Sequence, residues 1–323
     1  MLNGWTGGQY SLYRAIAGVY LLIHFIIVIK PAAMPLLIIA AIAAVLFAVG
    51  LFDRIAALVM CGLLVWISLP ALPPVACLLL VHACLPAAPY GSWPARKRTD
   101  PRGGWSVRPA IFAFAWIALS LFYSYRGWTT IAHPSWHSWM LLYAPLALFR
   151  PLRPWIWTAM FATHCADLSF GMAIVHLFTF DPAWIRGRDA EATETVFYDG
   201  TCGLCHRAVR FILAEDRKGT AFTFAPLFGE RYASEIGDVP GLPDSVIVRT
   251  TDARVLVKSA AILRLGHRLG GIWRILASLA GLVPNAMRDV AYDFVARVRY
   301  RIFGREKNAC PILPPDLRAR FSG

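Results

Sequence analysis

Between residues 10 and 85 the chain carries only four charged side chains, Arg14, Lys30, Asp53 and Arg54. Backbone placed in hydrocarbon must satisfy its own hydrogen bonds, so an apolar stretch of this length predicts helices that span a membrane. Residues 12–29 and 35–52 each approach the ~20 residues that a crossing requires. The runs at 55–69 and 72–85 are shorter and divided by Pro70, Pro73 and Pro74, which predicts either two steep helices or one proline-broken helix. A cleaved leader is the competing reading of the first run. The single Arg14, the lack of a small-residue cleavage signal and the further apolar runs that follow favour an uncleaved helix.

Residues 86–108 break the pattern with Pro, Gly and the cations Arg96, Lys97, Arg98, Arg102 and Arg108 against Asp100 alone. The positive-inside rule places such a loop in the cytoplasm. Apolar character returns at 110–125, 140–149 and 155–180. The last of these holds Asp167 and predicts one tilted helix or a hairpin of two short ones. In all, five to eight membrane elements are expected from this half. His164 and Asp167 lie three apart, on one helix face, and His176 follows. Ionisable groups within a membrane are costly to bury and are site candidates for that reason.

The remainder has ordinary polarity, with 21 Lys/Arg and 15 Asp/Glu in residues 186–323. The chain therefore reads as a helical membrane domain at 1–185, a linker at 186–195 and a soluble domain at 196–323. The net charge is +13; many of the Lys and Arg sit beside apolar segments, where they set membrane orientation, and no nucleic-acid-binding motif accompanies them.

Within the soluble part an apolar run, Val196-Phe197-Tyr198, stops at Asp199-Gly200, and Cys202-Gly203-Leu204-Cys205 opens a helical pattern. Strands are predicted at 196–198, 221–225, 245–249 and 254–257, with helices at 204–215, 260–270, 272–282 and 285–303 and a loop at 229–243. A βαβ unit, then a hairpin, then helices is the arrangement of a thioredoxin-like α/β domain. The fold class predicted for the whole chain is thus a membrane α-helical bundle followed by an α/β thioredoxin-like domain.

A strand that becomes a helix through C-x-x-C is how such domains present a redox dithiol. Cys202, exposed at the helix N-terminus, is the expected attacking thiolate, and Cys205 the residue that resolves the mixed disulfide. Arg207 adds positive charge. Asp199 is a turn-former and helix cap, or a proton acceptor for Cys205. Pro243, ahead of a strand, is the candidate for the cis-proline found beside such dithiols. Ser259 is predicted to cap the helix after Lys258, where free N–H groups bind anions. Glutathione-binding relatives of the thioredoxin fold use a similar turn for a substrate carboxylate; a plain N-cap is the alternative. The amphipathic helix at 285–303 is expected to cover the sheet, the rival reading being a basic face resting on lipid. Zinc held by Cys202, Cys205 and Cys310 with His206 or His267 is the sharper rival to redox chemistry, although Cys310 lacks the paired ligand that structural zinc sites usually show.

The motifs Tyr198-Asp199-Gly200-x-Cys202-x-x-Cys205, Leu242-Pro243-Asp244-Ser245, Lys258-Ser259-x-Ala261, Arg299-Tyr300-Arg301-x-Phe303-Gly304 and Cys310-Pro311 together resemble the DCC family of thiol-disulfide oxidoreductases. The resemblance covers about residues 194–321 and implies a thioredoxin-like fold with Asp199, Cys202 and Cys205 as signature residues. The membrane half resembles the HTTM domain, related to vitamin K-dependent γ-carboxylase, through Ala166–Met172, His176–Trp184, Tyr125-x-Gly127 and Pro134-Ser135-Trp136. It departs from that pattern between Trp139 and Trp155, where the chain is shorter, and no catalytic base carries over.

These readings converge on a multi-pass bacterial inner-membrane protein with a cytoplasmic dithiol domain. The expected working group is a redox-active Cys202–Cys205 disulfide, and the expected partners are a disulfide-containing protein or small-molecule thiol and the lipid bilayer. A quinone or lipid in the membrane half is the candidate electron partner. The alternative class is a non-redox scaffold or transporter with a partner- or zinc-binding C-terminal domain.

Overall fold

The computed structural model describes residues 3–68, 73–131, 136–188, 192–237, 242, 245–305 and 313–322. The chain divides into two compact units: residues 1–5, 10–94 and 105–181 in one, residues 6–9, 95–104 and 182–323 in the other.

The first unit is helical. Its elements are α1 (Gly7–Val28), α2 (Met34–Val49), α3 (Asp53–Ser68), α4 (Pro73–Ala83), α5 (Pro109–Thr129), α6 (Tyr143–Leu148), α7 (Arg153–Ala166) and α8 (Phe170–Phe178). Among the described residues three helical stretches, Gly7–Val28, Pro31–Val49 and Pro109–Thr129, are long and apolar enough to cross a membrane. Their inward faces carry small and aromatic residues such as Ala40, Ala44, Phe47, Phe112 and Trp116, while Ile23, Ile27, Ile38, Ile42 and Phe114 point outward. Gly127 has a packing role: a Cβ there would stand 2.1 Å from the backbone nitrogen of Leu141. The long apolar stretch at 155–180 resolves into two helices, because Leu168 takes a left-handed φ of 53° and the N–H of Ser169 turns back to the carbonyl of His164 at 2.9 Å.

The second unit is mixed α/β. Its order is β1 (Glu194–Tyr198), α9 (Gly203–Glu215), β2 (Phe222–Pro226), α10 (Glu230–Glu235), β3 (Ile247–Arg249), β4 (Val255–Val257), α11 (Lys258–Leu269), α12 (Gly271–Ala280), α13 (Asn285–Phe303) and α14 (Pro315–Arg318). The sheet runs β2-β1-β3-β4. β1 pairs parallel with β2 and antiparallel with β3, and β3 and β4 form the hairpin. All five residues of β1 are buried, as a central strand covered on both faces requires. Val196, Val209, Ile212, Leu213, Phe222, Phe224, Val248, Ala261 and Leu265 make its core.

The strands and longer helices expected for this unit are found, with corrections: the short helix α14 was not expected, and two further readings change. The stretch read as a loop at 229–243 contains α10, a short helix whose Tyr232 packs on Phe197 and Ile247. The helix expected to cover the sheet with its apolar side leaves Met287, Val290, Phe294 and Ile302 exposed and lies against α9 and α11 instead. Residues 95–104 join this unit: the Arg98 carbonyl accepts from Arg210, and Arg102 reaches Asp316 at 2.7 Å.

Candidate dithiol site

The helix that carries the dithiol begins where β1 runs out of partners. Asp199 Oδ1 accepts from the N–H and the hydroxyl of Thr201, both at 2.8 Å, an Asx turn that bends the chain back. The Cys202 N–H reaches the Asp199 carbonyl at 3.3 Å, and the His206 N–H donates to the Cys202 carbonyl at 3.1 Å. Cys202 is thus the N-cap of α9, in an extended conformation, and Cys205 lies one turn along. Both are free thiols.

The two sulfurs differ in setting. Cys202, expected to be exposed, is 0% accessible. Its cover is the end of α13 and the residues after it: Cys202 bridges to Arg305 in antiparallel fashion, and the Gly203 N–H donates to the Gly304 carbonyl at 3.3 Å. The Arg207 guanidinium lies 5.1 Å above the Phe303 ring and holds the same segment. Cys205 is half-buried. Burial, followed by its hydrogen bond to Cys202, pushes the Cys205 thiol up to about 12.

Asp199 also ties α13 to the turn. Tyr300 donates its hydroxyl proton to Asp199 Oδ2, and Arg299 Nη2 stands 3.3 Å from the same oxygen and 2.8 Å from the Tyr300 hydroxyl. The guanidinium groups of Arg299 and Arg305 lie 4.7 and 4.3 Å from the Tyr300 ring centre. Burial works to raise the Asp199 carboxyl, but the Tyr300 and Thr201 hydrogen bonds and the Arg299 charge outweigh it and hold it below the ordinary carboxylate range. A cleft of about 490 Å³ is lined by Asp199, Thr201, Phe228 and Tyr300. A separate apolar cavity of about 470 Å³ reaches Cys205.

Ser259 is the second residue of α11, not its N-cap, which is Val257. Its N–H donates to Asp289 Oδ1 at 3.3 Å, and its hydroxyl donates to the same oxygen, so a carboxylate of the chain itself occupies this helix end. Pro243 and Cys310 lie outside the described residues. Among the described residues no group of three or more His, Cys, Asp or Glu is placed to hold a metal ion.

In the helical unit His164 and His176 converge on one hydroxyl: Tyr123 Oη lies 2.7 Å from His164 Nε2 and 3.2 Å from His176 Nδ1. Asp167 is not part of that group and pairs with His137 at 2.7 Å. A second buried chain runs from Tyr10 through His82 to Asp53 and Arg14, with His82 and Arg14 at 3.4 and 3.3 Å from Asp53. Sequence reading missed Tyr123, Tyr10, Arg299 and Tyr300 as partners. Only Arg299-Tyr300, set in a motif, carried a signal that could have found them.

A mixed α/β sheet thus delivers two free cysteines to the start of one helix. Comparison with known sequences gives the class of this unit. The profile of the DCC1-like thiol-disulfide oxidoreductases matches residues 196–305. The chain is similar to the YuxK protein of Bacillus subtilis (strain 168), 36% identical over 132 residues that make up 40% of this chain and 93% of that protein. It is similar also to a chloroplastic DCC family protein of Arabidopsis thaliana, 31% identical over 113 residues, 34% of this chain and 64% of that one. No solved structure matches the chain. Through its second unit, the chain belongs to the DCC1-like thiol-disulfide oxidoreductase family.

Proposed function

We propose that the second unit has a thioredoxin-like fold and is a thiol-disulfide oxidoreductase working through Cys202 and Cys205. The observation that carries this reading is the pairing at one helix start, with the Cys205 thiol hydrogen-bonded to Cys202 and kept protonated. First-turn N–H groups favour negative charge at a helix N-terminus. The Cys202 thiolate attacks a substrate disulfide and expels one thiolate, forming a mixed disulfide. Cys205 gives up its proton, attacks the Cys202 sulfur and expels the second thiolate. Two electrons pass to the substrate, and the Cys202–Cys205 disulfide is left. Burial of Cys202 requires the segment 303–305 to move aside before attack, and Asp199 governs that segment through Tyr300 and Arg299.

The apolar helices anchor the unit to a bacterial inner membrane in this reading, and a quinone or lipid bound among them exchanges electrons with the dithiol. The fold of residues 95–104 into the second unit supports a shared side for the arginine-rich loop and the dithiol, the cytoplasmic side by the positive-inside rule.

Redox titration in thiol–disulfide buffers, read by alkylation and mass spectrometry, tests the chemistry. Expected are reversible cycling of the pair, loss of disulfide reduction in Cys202→Ser and a trapped mixed disulfide in Cys205→Ser. A pair that never cycles, or one clamped by stoichiometric zinc, overturns the reading. Labelling of Cys202 by a membrane-impermeant maleimide in cells with only the outer membrane permeabilised overturns the topology.

A further inference from the structure

The apolar cavity beside Cys205 is not used by dithiol exchange. Its wall includes Leu204, Ala208 and Ile212 of α9, Ile262 and Leu263 of α11 and Val295 of α13. At about 470 Å³ it falls among pockets that take small molecules, roughly 300–1,000 Å³. Such a lining offers water few polar partners, whereas a hydrocarbon body gains dispersion contacts on every side. The cavity opens outward: Ala208 and Ala291 are exposed, and Ile262 and Val295 are nearly half so.

The charged groups of its lining are both cations, Arg288 and Arg299. Arg299 serves Asp199 and Tyr300. Arg288 donates through Nε to the Val283 carbonyl at 2.9 Å and through Nη2 to Asn285 at 3.3 Å. Its Nη1 is buried and meets no hydrogen-bond acceptor among the described residues. Of the acids of the same helix, Asp289 bonds Ser259, itself part of the lining, and Asp293 pairs with Lys258 at 2.8 Å; neither accepts a hydrogen bond from Arg288 Nη1. A buried donor without an acceptor is costly, and an anionic oxygen is the acceptor that would satisfy it most strongly.

We propose that this cavity binds a lipophilic monoanion, a single hydrocarbon chain with an acidic head, the chain lying against Cys205 and the head at Arg288. The site stands apart from any ligand of the apolar helices, and it does not depend on whether the dithiol cycles.

The test uses the full-length protein in phosphatidylcholine vesicles and, as probe, palmitic acid bearing a diazirine near its methyl end. After irradiation, mass spectrometry is expected to find adducts on peptides spanning residues 204–212 and 288–299. Unmodified palmitate should compete for them about tenfold better than hexadecanol, the worth of one charge-assisted hydrogen bond. Ala208→Trp and Ala296→Trp, which fill the cavity from α9 and from α13, should each abolish these adducts with circular dichroism unchanged. Arg288→Gln should keep the adducts and erase the preference for the acid over the alcohol. Adducts confined to the apolar helices of residues 7–129, or insensitive to both tryptophans in folded protein, overturn the site. Equal competition by hexadecanol in the unmodified protein overturns the anionic head. Should a tryptophan variant fail to fold, the position of the adducts in the unmodified protein decides alone.

Discussion

Gly203 stands against the carbonyl of Phe303 with no room for a side chain: a Cβ on Gly203 would lie 2.4 Å from that oxygen. The glycine between the dithiol's first cysteine and the rest of the helix therefore sets how tightly the end of α13 closes over Cys202. Gly203→Ala should push the 303–305 segment outward. Overpacking of this kind costs about 1–3 kcal/mol, read as a lower denaturant midpoint. Cys202 should become readily alkylated by N-ethylmaleimide in the native state. An alanine variant whose Cys202 stays as protected as before would show that the segment does not gate the thiol.

Asp199 gives the site a pH dependence with a definite sign. Its carboxyl is held below the ordinary range, so the folded state favours the ionised form more than the unfolded chain does. The stabilisation is complete above the ordinary carboxyl pKa of about 4 and is lost as pH falls through the lower folded value. Thermal melts across the acid range should show a steeper loss in the native protein than in Asp199→Asn. At neutral pH, Arg299→Gln should cost about 1.5–3 kcal/mol, as loss of a hydrogen bond to a charged group does, and should loosen α13 from the turn.

The Cys205 thiol, pushed up to about 12, should alkylate slowly at neutral pH, and its rate should climb without a plateau through pH 10. An ordinary free thiol has a pKa of about 8.5, and levels off once ionised. Burial and the hydrogen bond to Cys202 raise the Cys205 value together, so Cys202→Ala removes one cause and should speed Cys205 alkylation at every pH below 10. Iodoacetamide rates followed by mass spectrometry check both statements. A plateau near pH 8.5 in the native protein would contradict them.

Much of the second unit was legible because its elements announce themselves locally. The β-branched and aromatic run of β1, the Asp-Gly turn and the amphipathic period of α9 each carry their own signal. What was not legible depends on long-range pairing. The burial of Cys202 comes from Arg305, over a hundred residues away, and the carboxylate that meets Ser259 comes from Asp289 on another helix. Helix α10 escaped because only six residues form it, too few for a period to show. In the helical unit, three apolar stretches long enough to span could be read off directly. The convergence of His164 and His176 on Tyr123 could not, because tyrosine and histidine lie on different helices with no spacing to link them.

Ser259 and Asp289 decide what the start of α11 can bind. With the N–H at 3.3 Å from Asp289 Oδ1 and the hydroxyl bonded to the same oxygen, the internal carboxylate sits where an external one would be recognised. Burial of the carboxylate matters less here than its bond from the Ser259 hydroxyl, the first cause holding Asp289 below the ordinary range. Because solvent screens the Asp289 carboxylate, Ser259→Ala should cost at most about 1 kcal/mol, and Asp289→Asn should cost less when Ser259 is already alanine, because the two groups share one interaction. Asp289→Ala empties the helix end of its anion while leaving Lys258 and the free N–H groups in place. Millimolar glutathione, or acetate as a minimal carboxylate, should raise the melting temperature of Asp289→Ala and leave that of the native protein unchanged. Equal stabilisation of both proteins would mean that Asp289 yields the position to an incoming carboxylate, and the turn would then count as a binding element of the native protein.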